Sequence, residues 1–160
     1  MLKNECDIFN YADDNTVCCY GENSDVVKIE LQQVVVKLLK WFHDNNMKVN
    51  CNKFQFMLFG NGSDNDSESI VIAGHTVHAQ TIVKLLGVHF DVNLNFDFHV
   101  QEICKKAGRK LNVLRRLSNN LDESNKLVLF YSFILSNLEY CSVVWHFCNK
   151  GSMKKIEKIL

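Results

Sequence analysis

Apolar residues recur with two different periods along the chain, and the change from one to the other organises it. Residues 6–11 and 16–20 are short β-leaning runs on either side of Ala12-Asp13-Asp14-Asn15, a cluster of turn formers, and together they predict a β-hairpin. Asn23 or Ser24 then offers a helix cap. Val27, Leu31, Val34, Leu38 and Trp41 follow at helical spacing, which predicts a helix that Asn45-Asn46 ends. Phe54, Phe56 and Leu58 alternate with Lys53, Gln55 and Met57, the pattern of a strand with one buried face. Residues 70–73 and 76–79 flank Gly74-His75 as a second hairpin, and residues 82–90 read as a further strand.

From Phe98 the period becomes helical, with Val100, Ile103, Ala107, Leu111, Leu114 and Leu117 on one face. A second helix is expected over residues 122–138 and a third opening near Ser152. Strands with one packed helix therefore come first and helices alone come afterwards, with the joint near residues 92–98. The expected fold class is α+β. Residues 60–69 are a polar loop. Trp41 and Trp145 both sit inside apolar patterns and are expected in the core.

Composition narrows this picture. With 160 residues and 47% apolar content the chain can build a packed core, which excludes disorder across its whole length. Basic and acidic residues balance at 18 each, but unevenly: residues 1–80 hold 6 basic and 11 acidic side chains, residues 81–160 hold 12 and 7. An acidic half joined to a basic half is common among nucleic-acid enzymes. Seven cysteines without a C-x-x-C pair argue against both a disulfide scaffold and a zinc ribbon. Residues 1–5 carry no apolar leader segment, and no apolar run approaches membrane-spanning length. The N-x-S triplets at Asn61 and Asn65 matter only in a secreted chain. The expectation is a reduced, intracellular protein, in cytoplasm or nucleus and not on a membrane.

The sharpest chemical feature is Tyr11-Ala12-Asp13-Asp14. Adjacent carboxylates at a tight turn repel each other unless something uses them. Mg²⁺ is one such use, since it takes one or two carboxylates together with substrate phosphates; a solvated Asp-Asp-Asn turn is the plainer alternative. On the helix after Phe98, Lys105, Arg109 and Arg116 cluster opposite the apolar face, with Lys106 and Lys110 on the flank. Glu102 is the only acidic residue among positions 101–117. Such a face either tracks nucleic-acid phosphates or is simply solvated. The six histidines form no H-x-x-x-H pattern, and Gly60-Asn61-Gly62 lacks the lysine and hydroxyl of a phosphate loop.

In order and spacing the chain resembles the reverse transcriptases of non-LTR retrotransposons, from the middle of the palm into the thumb. The residues carrying the resemblance begin with Phe9-Asn10-Tyr11-Ala12-Asp13-Asp14, the helix ending in Trp41, and the run from Asn45 through Lys53. Phe56-Met57-Leu58-Phe59-Gly60 and Lys84-Leu85-Leu86-Gly87-Val88 follow, then Asp91 with Leu94 and Phe96, and His99-Val100. Last come Leu129-Phe130-Tyr131, Leu138-Glu139-Tyr140-Cys141 and Trp145.

The resemblance implies RNA-directed DNA polymerisation, with dNTPs added to a DNA primer 3′-OH on an RNA template and two Mg²⁺ in a complete domain. It implies that Asp13 is the principal metal-binding carboxylate with Asp14 beside it, and that Tyr11 and Ala12 lie near the primer terminus and incoming nucleotide. It makes Lys53 the general acid for the pyrophosphate leaving group and Leu86-Gly87 the turn that grips the primer backbone. Residues 1–95 correspond to the later part of a palm and residues 96–160 to a thumb. The bridging palm carboxylate and the fingers of that family lie upstream of its Asp-Asp hairpin. The chain therefore reads as a fragment cut at both ends and inactive alone. The alternatives are a non-catalytic nucleic-acid-binding module built on the basic helix, and a bare structural remnant.

Overall fold

A computed structural model describes residues 5–60 and 67–159. The core of the polar loop, with Asn61 and Asn65, lies outside the described residues, as do residues 1–4 and Leu160. The chain divides into two compact units, Met1–Leu86 and Gly87–Leu160. Small antiparallel sheets and several helices make it an α+β protein, as the two periods in the sequence require.

In the first unit, β1 (Glu5–Tyr11) pairs antiparallel with β2 (Asp14–Tyr20), in a register running from Glu5 opposite Tyr20 to Tyr11 opposite Asp14. The strands thus reach further into the turn cluster than propensity suggests, and only Ala12 and Asp13 remain as the loop. Helix α1 (Ser24–Asp44) starts where Asn23 accepts the amides of Asp25 and Val26 on its side chain, at 2.9 and 3.2 Å. It ends where Asn46 turns left-handed, at φ 58°, and the amides of Asn46 and Met47 return to the carbonyls of His43 and Phe42.

The buried line of α1 keeps Leu31 from the predicted spacing but departs from it afterwards. Val35 is its buried residue, with Leu31 and Leu39 packed beside it, while Trp41 stands 53% exposed. Val34-Val35-Val36 and Leu38-Leu39 are apolar on neighbouring faces, so the sequence admits two helical registers and the packing selects one. Trp41 belongs to the unselected register and meets the ring of Phe42 edge to face.

The line from α1 meets β3 (Ser69–Ile72) and β4 (His75–His78), whose Ile70, Ile72 and Val77 complete a small core with Phe56. The loop of this hairpin is Ala73-Gly74, one residue earlier than expected, and both residues have positive φ. Residues 54–58 form no strand ladder: Cys51–Lys53 is a 3₁₀ turn, and Phe56 then makes a single parallel bridge to Ala79. Phe56 is nonetheless buried, so the alternation located the inward residue although the element differs. The strand expected over residues 82–90 is interrupted, with β5 (Ile82–Leu85) and β6 (Val88–Asp91) separated by Leu86-Gly87, at φ 46° and 88°. Two successive positive φ values are the signature of a tight reversal.

The second unit packs around α2 (Asp97–Leu117). Val100 and Ala107 are fully buried, and Ile103, Leu111 and Leu114 line the same core, as the period predicts. Leu117 is the exception and lies 46% exposed. The helix expected over residues 122–138 is a composite: α3 (Glu123–Leu129), a π-helical stretch (Phe130–Leu135) and α4 (Ser136–Glu139). Within it the hydroxyls of Ser132 and Ser136 and the amide of Asn137 donate back to carbonyls one turn earlier, an option that loosens regular α-helical bonding. The short α5 (Ser142–Trp145) and α6 (Lys150–Glu157) follow. Trp145 is buried here with Ile134, Leu138 and Ile156, in the core as expected. No helix among the described residues is long and apolar enough to cross a membrane.

Candidate functional site

The hairpin brings Tyr11, Ala12, Asp13 and Asp14 together at its tip, all exposed. Tyr11 and Asp14 are cross-strand partners and share one face of the ribbon, on which Phe9 pairs with Thr16 and Asp7 with Cys18. Tyr20 donates its hydroxyl to the Asp7 carboxylate on that face, at 3.4 Å. Asp13 occupies the loop itself, and its carbonyl accepts the side-chain amide of Asn15 at 3.3 Å. Ala12, at φ 52°, takes the left-handed conformation that such loops usually give to glycine or asparagine. The adjacent carboxylates thus sit at the tip of a short ribbon, Asp13 in its two-residue loop and Asp14 at the first position of the ladder.

The opposite face of the ribbon carries Cys6 and Cys19, directly paired, with a disulfide between them and Cα atoms 4.1 Å apart. This corrects the expectation of a fully reduced chain. Counting cysteines without a register could not show that residues 6 and 19 are cross-strand neighbours in a non-hydrogen-bonded position, where side chains approach most closely. Cys18, Cys51, Cys104, Cys141 and Cys148 are free thiols.

The donor chemistry of Asp13 and Asp14 suits a hard cation such as Mg²⁺, which selects carboxylate oxygen. Among the described residues no group of three or more His, Cys, Asp or Glu side chains gathers to hold a metal. The tip therefore offers at most two carboxylates of the six oxygen positions that Mg²⁺ fills.

Lys53 is exposed and closes the 3₁₀ turn that Asn50 caps by accepting the Asn52 amide, at 3.1 Å. It sits on a different element of the same unit from the carboxylates. Leu86 ends the first unit and Gly87 opens the second.

On α2 the basic residues are not equivalent. Lys105, Lys106, Arg109 and Arg116 are exposed, with Lys105 in a loose ion pair with Glu102 at 3.4 Å. Lys110 is half-buried: its ammonium donates to the Phe133 carbonyl at 3.0 Å and stands 5.8 Å from the centre of the Phe133 ring. It holds the π-helical segment against α2 and has left the exposed basic set.

Asp91 does more than sequence reasoning assigned to it. Its carboxylate accepts the backbone amides of Asn93, Asn95 and Phe96, at 3.1, 3.0 and 2.7 Å, and so shapes the whole connection into α2. The run of aspartate and asparagines before a helical period was the signal available for it. At the start of α2, Asp97 accepts from the Asn149 amide and the Ser152 hydroxyl, tying the beginning of α6 to it. His99 is buried, and its Nδ1 accepts the His89 amide at 3.3 Å. Burial first, and the nearby His89 second, hold its pKa below the ordinary imidazole value.

A sequence profile of the reverse transcriptase (RNA-dependent DNA polymerase) family matches residues 1–90. The match covers more than half of the 160 residues and includes the Asp13-Asp14 tip, Lys53 and Leu86-Gly87. The chain belongs to the reverse transcriptase family. No curated protein matches it, and no solved structure does. The basic helix lies beyond the matched segment.

Proposed function

We propose that this chain carries the palm hairpin and thumb of a non-LTR retrotransposon reverse transcriptase, and that it acts within the cell on a DNA primer annealed to an RNA template. The observation that carries the reading is the Asp13-Asp14 pair at the tip of an exposed hairpin, inside the segment that matches the family.

In the reaction so assigned, the primer 3′-oxygen attacks the α-phosphorus of a dNTP. A new phosphodiester bond forms as the bond to pyrophosphate breaks. Bound Mg²⁺ would lower the charge barrier at the reacting phosphate and the attacking hydroxyl. Asp13 and Asp14 would hold the ion, with Tyr11 and Ala12 beside the primer terminus and incoming nucleotide. Lys53 would give its proton to the departing pyrophosphate. Leu86 and Gly87 would hold the primer backbone, and Lys105, Lys106, Arg109 and Arg116 would follow duplex phosphates. Two carboxylates leave the remaining positions around Mg²⁺ to a further palm carboxylate and to substrate phosphates, so residues 1–160 alone are expected to bind primed template without extending it.

A second reading, a non-catalytic nucleic-acid-binding module, draws on the exposed basic face of α2, which needs no metal. One pair of experiments separates the two. In an active polymerase containing these residues, Asp13→Ala should reduce primer extension below about 5% of the parent while leaving duplex affinity within about twofold, because a metal ligand serves the transition state more than binding. Extension near the parent rate would remove Asp13 from the site. The isolated chain, given primed RNA, dNTPs and Mg²⁺, should shift the duplex in a gel and add no nucleotide. Extension by it that Asp13→Ala abolishes would show a metal site completed from its own residues.

A further inference from the structure

Gly87 is constrained on two counts. Its φ is 88°, and a β-carbon built on it would lie 3.3 Å from Cε1 of Tyr140, 3.8 Å from Oη and 3.9 Å from Cζ. The edge of the Tyr140 ring is therefore close enough that a side chain at position 87 would require the ring to give way by a few tenths of an ångström. Fifty-three residues of sequence separate the two, so the contact is tertiary.

Tyr140 is held for this contact from its own backbone. Leu138, two residues earlier, is buried in the second core. The indole Nε1 of the buried Trp145 donates to the Tyr140 carbonyl at 3.0 Å. Cys141 then turns left-handed, at φ 51°. Core packing, a partly buried hydrogen bond and a tight bend all fix the Tyr140 main chain, yet the residue remains 52% exposed. An aromatic side chain anchored this firmly and still half in water is not serving the core.

We propose that Tyr140 is a positioning residue for the primer strand: its ring seats the backbone of Gly87 at the turn along which the primer passes. The inference rests on the reading of Leu86-Gly87 as a primer grip and extends it to a residue beyond the segment that matches the family. The glycine lets the ring approach the main chain, and the ring in turn fixes where the turn presents its backbone groups. Tyr140→Phe keeps the ring edge, whereas Tyr140→Ala removes it. Gly87→Ala presses a methyl group against the ring, so that the ring must shift, and strains the turn.

The test uses the 160-residue chain and a DNA primer annealed to RNA, with hydroxyl-radical footprinting of each strand, the dissociation constant and the melting temperature. Tyr140→Ala should lose protection of primer nucleotides near the 3′ end and weaken binding about threefold to tenfold, the range of one positioned contact. Template-strand protection and melting temperature should stay at the parent values. Tyr140→Phe, which keeps the ring edge, should retain more primer-strand protection than Tyr140→Ala, and Gly87→Ala should reproduce the primer-strand loss. Unchanged primer protection in Tyr140→Ala overturns the proposal. So does a loss that follows a fall in melting temperature and extends equally to both strands, since that is a packing role. Binding that depends on Lys105, Arg109 and Arg116 but not on Tyr140 would defeat this inference and leave the nucleic-acid reading standing. A parent chain that fails to bind primed duplex defeats both.

Discussion

Tyr11 and Asp14 face each other as the last cross-strand pair of the first hairpin, which leaves Ala12 and Asp13 alone to reverse the chain. Because partners across a ladder share a face, the phenol and the second carboxylate project on the same side of the ribbon, beside the loop that carries the first carboxylate. The cost of this arrangement falls on Ala12, which adopts φ 52° although it has a β-carbon.

That strain is measurable. Ala12→Gly should raise the stability of the chain by about 0.5–1 kcal/mol, the relief of the left-handed penalty less the extra unfolded-state entropy of glycine. Ala12→Val should lower it by at least as much, since a β-branched residue tolerates positive φ poorly. Urea denaturation of the three proteins decides the matter; identical midpoints would mean that the tip is not held in the left-handed conformation.

Asp91 gives the second prediction. Three backbone amides converge on its carboxylate, and Asp91→Ala leaves all of them to solvent or unpaired. A loss of about 1–3 kcal/mol is expected. Asp91→Asn, which keeps one acceptor oxygen, should lose less. Denaturant midpoints of the two variants check both the size and the order, and an Asp91→Ala protein as stable as the parent would mean that the loop is not organised by this side chain.

Much of this was legible in the sequence. Alternation marked Phe56 as an inward residue, and the helical period marked Val100 and Ala107, because burial on one face is what such patterns encode. What was not legible depends on partners distant in sequence. The choice between the two registers of α1, which exposed Trp41, is made by the strands it meets. The Cys6–Cys19 bridge depends on a strand register that propensity does not fix. The π-helical stretch lies in a segment whose apolar spacing reads as ordinary helix, and the extra residue it accommodates shows only in its packing. At the hairpin tip, adjacent carboxylates were visible at once, but the two-residue loop that holds Asp13 and leaves Asp14 in the ladder was not, since Ala-Asp is a weak turn signal compared with Asn-Gly. The commitment of Lys110 to Phe133 was likewise hidden, because a helical wheel shows which side a lysine leaves from and not where its ammonium ends.

His99 sets a pH dependence. Its pKa is lowered in the folded state, by burial and then by His89, so the folded chain takes up a proton at this site less readily than the unfolded chain. The stability this contributes is fully present above the ordinary imidazole value of about 6.5 and is lost as pH falls below it toward the depressed value. Stability should therefore fall on acidification from pH 7 through that window, and His99→Gln, which retains an acceptor for the His89 amide, should flatten the fall. Parallel pH profiles for parent and variant would mean that His99 is not the group responsible.

The basic face of α2 gives the last prediction, and Lys110 sharpens it. If Lys105, Arg109 and Arg116 neutralise phosphates, replacing all three by Gln should weaken binding to primed RNA–DNA duplexes equally whatever their sequence. It should also reduce the slope of log affinity against log salt by about two to three, close to 0.9 for each lost contact. Lys105 should contribute least of the three, since Glu102 already shares its charge. Lys110→Gln tests the geometry separately. Its ammonium is engaged by the Phe133 carbonyl and ring, so this substitution should reduce stability, by about 0.5–1.5 kcal/mol, while changing the salt slope by much less than one. A full unit of slope lost at Lys110, with none lost at Arg109 and Arg116, would place the phosphates on the wrong side of the helix for this reading. An unchanged slope in the triple variant would mean that the exposed face is merely solvated.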